Sequence, residues 1–101
     1  MKNCCREYLT AQFGDDAITG DIYAEYIRSA NEKLAEIATA RASGDWTAVD
    51  RGAHALKGAA LATGDSETSD TAIALREAAA RRDTEASDAL IQRIGDLVNN
   101  L

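Results

Sequence analysis

His54 is the only histidine in the chain, and it stands among good helix formers with Lys57 three residues on, Gly58 four on and Leu61 seven on. Residues at those offsets share one side of a helix, so the four form a single patch. A neutral imidazole nitrogen is a nucleophile near neutral pH. A phosphoryl group in flight spreads negative charge over its oxygens, and a fixed cation beside it lowers the barrier; Lys57 can be that cation. Gly58 forgoes about 1 kcal/mol of helix stability relative to alanine, which is easiest to understand if something large must come close to the histidine. Leu61 offers an incoming partner an apolar contact on the same side. At ~100° per residue, Val49, Ala53, Leu56 and Ala60 point to the opposite, core side, and His54 looks outward.

Taken singly, these residues have plainer readings. A lone histidine is an ordinary surface or core residue, Lys57 a solvated side chain, and Gly58 a mark of close helix packing. Gly64 reads as a helix C-terminal residue in any case. Together, His54, Lys57, Gly58 and Gly64 form the pattern His-x-x-Lys-Gly-x-x-x-x-x-Gly, which resembles the histidine-containing phosphotransfer (HPt) domain family. Upstream, Gly14-Asp15-Asp16, Tyr26-Ile27, Leu34, Ile37 and Gly44-Asp45-Trp46 look like that family's long first bundle helix and its turn, so the resemblance covers about residues 14 to 100. The chain departs from the family at Ala59, where members often carry serine, and at Thr63, Thr68 and Thr71, where apolar residues are usual. Those departures bear on the packing of the third bundle helix and leave the patch itself untouched.

The resemblance implies a phosphorelay intermediate of two-component signalling. His54 would accept a phosphoryl group from a receiver-domain aspartate and pass it to another, with Lys57 stabilising the phosphoryl group. Gly58 would leave clearance, Leu61 would dock the receiver, and Asp50 and Arg51 would tune which receiver is accepted. Such a module is a carrier rather than an enzyme, without a nucleotide site or cofactor of its own. Mg²⁺ would come from the partner receiver domain, and a hybrid histidine kinase is a further expected partner. The alternative is an HPt-like docking module that binds a receiver or kinase without carrying phosphate. A small hydrolase with His54 as general base has no nucleophile or second acid–base group at a recognisable spacing.

The elements that must position His54 follow from composition and periodicity. A chain of 101 residues makes one domain, 1–101, with a single core. It has no proline and only seven glycines to interrupt helices, and its β-branched and aromatic residues are too scattered for alternating strands. The class is all-α. A net charge of −6 argues against a nucleic-acid partner. No apolar run approaches the ~20 residues needed to span a bilayer, and residues 1–5 lack the apolar stretch of a secretory signal, so the expected location is cytoplasmic. Met1 favours a stand-alone protein. Cys4 and Cys5 are adjacent, so a relaxed bridge between them is not expected and both read as buried thiols. Two cysteines and one distant histidine do not make a zinc site.

Residues 3–13 read as a short helix across one end of the bundle, with Cys4, Cys5, Tyr8, Leu9 and Phe13 as apolar positions. Asp15 or Asp16 can cap the next helix, whose apolar positions are Ile18, Ile22, Tyr26 or Ile27, Ala30, Leu34, Ile37 and Ala38, with Gly20 fraying its start or delaying it to Asp21. Gly44 supplies a left-handed exit and Asp45 the next cap, with Trp46 closing the base of the core. After Gly64, Asp65 or Ser66 caps a helix with a weak stripe of Thr68, Ala72, Leu75 and Ala79. It should be the least stable long helix, with Arg76, Arg81 and Arg82 on or near its solvent side. Asp83 or Thr84 starts the last helix, whose seam is Leu90, Ile94, Leu97 and Leu101. The expected architecture is an antiparallel four-helix bundle over 15–100 (15–43, 45–63, 66–82 and 84–100), preceded by the short N-terminal helix.

Overall fold

In the computed structural model, which describes residues 1–101, an aspartate opens each of the four longer helices. The elements are α1 (Asn3–Phe13), α2 (Asp16–Ala42), α3 (Trp46–Thr63), α4 (Ser66–Ala80) and α5 (Thr84–Asn99). Asp15 accepts a hydrogen bond from the Ala17 amide at 2.8 Å, Asp45 from Ala48 at 3.0 Å, Asp65 from Thr68 at 3.3 Å and Asp83 from Ala86 at 3.1 Å. Each side chain satisfies an amide that has no intrahelical partner. With two or three residues between successive long helices, neighbours are forced antiparallel. The result is the expected all-α bundle, with α2 packed on α3, α3 on α4, α4 on α5, and α5 closing more loosely back on α2. At about 1.5 Å per residue the 27 residues of α2 span about 40 Å, which accounts for the 43 Å long axis of a molecule only 19 and 18 Å across.

Val49, Ala53, Leu56 and Ala60 are fully buried, as their side of α3 requires. Around them the core takes Ile37 and Ala30 from α2, Ala72 and Leu75 from α4, and Ile94 and Val98 from α5. Several expectations are corrected. Helix α2 runs unbroken from Asp16 through Gly20, because Asp15 anchors its first turn. On it Ile18 and Ala38 are exposed, while Thr19, Tyr23 and Ala40 are buried in the positions that a 27-residue helix actually turns inward. On α5 only Ile94 of the expected seam is fully buried, with Val98 beside it; Leu90, Leu97 and Leu101 are half-buried. Cys5 is buried but Cys4 is exposed. Helix α4 stops at Ala80, two residues early, and Arg82 takes a left-handed conformation (φ 52°) that no glycine announced.

Helix α4 is more deeply buried than its weak apolar stripe implies. Seven of its fifteen residues are buried, a larger share than in any other helix, because Ser69, Ala72, Ala78 and Ala79 are small enough to let α3 and α5 approach. The threonines that interrupt its apolar pattern are satisfied locally: Thr71 Oγ1 donates to the Glu67 carbonyl at 2.7 Å and Thr68 Oγ1 to Asp65 Oδ2 at 2.7 Å. Thr63, at the end of α3, donates to the Ala59 carbonyl at 2.8 Å.

Helix α1 lies across the end of the bundle where α3 turns into α4, burying Cys5 and Leu9 completely. Gly64 makes that turn with φ 80°, and any side chain there would run into Tyr8 of α1. Beneath it the buried carboxylate of Asp65 accepts hydrogen bonds from Lys2 Nζ at 2.8 Å and from Tyr26 OH at 2.6 Å, besides Thr68. Burial alone would push this carboxyl up, but the bonds from Lys2, Tyr26 and Thr68 hold it below the usual carboxylate range. Burial and the neighbouring Asp65 together push the Tyr26 phenol well above its ordinary value. Tyr23 OH accepts from the Lys2 amide at 3.3 Å and donates to the Leu101 carbonyl at 3.1 Å, so both ends of the chain meet here.

Candidate functional site

Helix α3 sets out the patch. His54 is exposed on the face opposite the buried Val49–Ala53–Leu56–Ala60 row. Lys57 is half-buried one turn further along, and Leu61 leaves 53 % of its surface open to solvent on the same face. A Cβ added at Gly58 would meet nothing within 4 Å. That rules out close helix packing as the reason for this glycine and leaves open space beside the imidazole. Asp50 lies four residues before His54 on the same face, and Arg51, three before it, is exposed. The α3 site residues therefore converge on one surface; Gly64 stands apart at the helix end, about 15 Å along the axis from His54 at 1.5 Å per residue.

One residue of the site comes from the neighbouring helix. Arg76 of α4 is not free in solvent: its Nε donates to Asp50 Oδ1 at 2.9 Å and its Nη1 lies 3.1 Å from His54 Nδ1. The hydrogen bond to Asp50 holds the guanidinium above the ordinary arginine value. Asp50, Lys57, Ile73, Arg76 and Glu77 line a shallow groove of 440 Å³ between α3 and α4, alongside the histidine. A signal for Arg76 was present in the chain. In an antiparallel hairpin turning at Gly64-Asp65, the residue ten before Gly64 faces residues about ten or eleven after Asp65, which are Leu75 and Arg76.

The arrangement presents one imidazole with an open approach, a lysine on its own helix and an acid–base pair at its edge. No group of three or more His, Cys, Asp or Glu side chains is placed to hold a metal ion, and no helix is long and apolar enough to cross a membrane. A family model described as Hpt domain matches residues 21–101, which takes in all of α3, α4 and α5 and most of α2. No curated protein and no solved structure gives a match.

Proposed function

The chain belongs to the Hpt domain family, and from that premise we propose that it is a phosphorelay carrier whose phosphoacceptor is His54. Hpt domains are phosphocarriers in two-component signalling, meeting receiver domains and kinases, so the general role is histidine phosphotransfer. The observation that carries the finer reading is the coincidence of an exposed His54 with unfilled space over Gly58 on the same face. A receiver domain has to bring a buried aspartyl phosphate against the imidazole, and any side chain at position 58 would project into that approach.

In the transfer, Nε2 of His54 attacks phosphorus in line as the bond to the receiver's aspartyl oxygen breaks, and the carboxylate leaves with the electron pair. Lys57 faces the charge that develops on the equatorial oxygens. Leu61 gives the receiver an apolar contact, and Asp50 and Arg51 present charges that discriminate among receivers. Mg²⁺, held by the receiver, supplies the rest of the charge compensation. Passage to a second receiver is the same step reversed.

The test is incubation with a phosphorylated receiver. The expected product is an acid-labile, alkali-stable phosphoryl group that is absent from His54→Gln. If no such group forms and His54→Ala binds the receiver as tightly as the unaltered chain, the protein is a docking module instead.

A further inference from the structure

Arginine carries only hydrogen-bond donors, so in the contact between Arg76 Nη1 and His54 Nδ1 the imidazole nitrogen accepts. A neutral imidazole that accepts at one nitrogen carries its proton on the other. Resting His54 is therefore the Nε2–H tautomer, in which Nε2 has no lone pair with which to attack, while the lone pair on Nδ1 is covered by the guanidinium. We propose that Arg76, held by Asp50, is a positioning residue that latches His54 in an unreactive tautomer until a partner draws the guanidinium away. The inference rests on the phosphocarrier reading for its purpose, though not for its geometry.

Release would proceed with a balanced exchange of protons. Phosphoryl oxygens brought by the receiver compete with Nδ1 for the guanidinium, whose planar fork binds two anionic oxygens in preference to one neutral nitrogen. Once Nδ1 is free it takes a proton from water, and Nε2 gives its own to water. The Nε2 lone pair then forms the N–P bond, and the P–O bond to the receiver aspartate breaks with its electrons going to the carboxylate. The product keeps its proton on Nδ1. Asp50, one helical turn away and no longer bound to Arg76, faces that N–H and the positive charge on the ring.

His54 is the only histidine, so both readouts are unambiguous. The first is the ¹⁵N spectrum of histidine-labelled protein at a pH where the ring is neutral. The unaltered protein is expected to show a protonated-type Nε2 and a bare Nδ1, and Arg76→Gln, whose amide oxygen can accept from Nδ1–H, is expected to shift the population toward Nδ1–H. The second is the rate of acylation by diethyl pyrocarbonate, an uncharged reagent that needs a free imidazole lone pair; Arg76→Met is expected to react about fivefold faster, in line with loss of one hydrogen bond. Arg76 is partly exposed, and circular dichroism checks that both variants keep the helical fold. A dominant Nδ1–H form in the unaltered protein, an unchanged spectrum in Arg76→Gln, or an unchanged acylation rate in Arg76→Met overturns the latch. Failure of the carrier reading shows differently: the tautomers behave as stated, but no phosphoryl group reaches His54.

Discussion

Gly52 of α3 packs so closely on Ile37 of α2 that a Cβ on the glycine would fall 2.6 Å from Cγ1 of the fully buried Ile37, so something would have to shift. Six residues on, a Cβ at Gly58 meets nothing. Two glycines in one helix thus have opposite reasons, the first set by the fold and the second by what approaches from outside. Gly52→Ala is expected to cost about 1–3 kcal/mol through overpacking. Gly58→Ala is expected to add about 0.5–1 kcal/mol through helix propensity. Urea denaturation of the two variants measures both; equal effects would dissolve the distinction.

Lys57→Ala should slow phosphoryl transfer on the order of a hundredfold, as for loss of one preorganised group facing the developing charge. Its fold should be intact, since Lys57 is half-buried and makes no ion pair. Gly58→Glu should weaken receiver binding while leaving the fold in place. Transfer kinetics read against receiver concentration separate the two, because the lysine variant loses maximal rate and the glutamate variant loses apparent affinity.

Asp65 should govern acid stability. Its carboxyl sits below its ordinary value of 3.8 in the folded chain, so its contribution is present above the unfolded value and is lost as pH falls through the folded one. Asp65→Asn is expected to cost about 2–4 kcal/mol at pH 7, as Lys2 loses its buried partner and Tyr26 its charged acceptor. The gap between the variant and the unaltered protein should narrow below about pH 4. A gap that stays constant with pH would remove the charge from the explanation.

Ser87 Oγ is buried without a hydrogen-bond partner, on a side chain with no exposed surface. An unsatisfied hydroxyl in that position works against folding. Ser87→Ala is expected to be neutral or to raise stability by about 1 kcal/mol in thermal unfolding, and a loss of more than that would mean the hydroxyl is satisfied in solution.

Local chemistry made much of this legible in the chain. The capping aspartates, the glycine exits at Gly44 and Gly64, and the alternation of His54 with the Val49–Leu56 face all act within a few residues, where periodicity and capping rules apply directly. What escaped depends on how one helix meets another. Arg76 reads as a solvated arginine until the α3–α4 register puts it against His54 and Asp50. Asp65 reads as a cap and is also the buried anchor of Lys2 and Tyr26, residues 63 and 39 positions away in sequence. Thr68, a weak apolar position by pattern, is an internal hydrogen-bond donor. Helix α4, thin by hydrophobicity, packs well because small residues exchange side-chain area for close approach.

The most direct measurement of the central claim is peptide mapping by mass spectrometry, under alkaline conditions, after incubation with a Mg²⁺-loaded, phosphorylated receiver domain. The phosphoryl group is expected on the peptide bearing His54 and nowhere else, and it should leave that peptide when a second, unphosphorylated receiver is added. Phosphoryl groups on another residue, or none while the receiver loses its own only to water, would contradict a carrier built around His54.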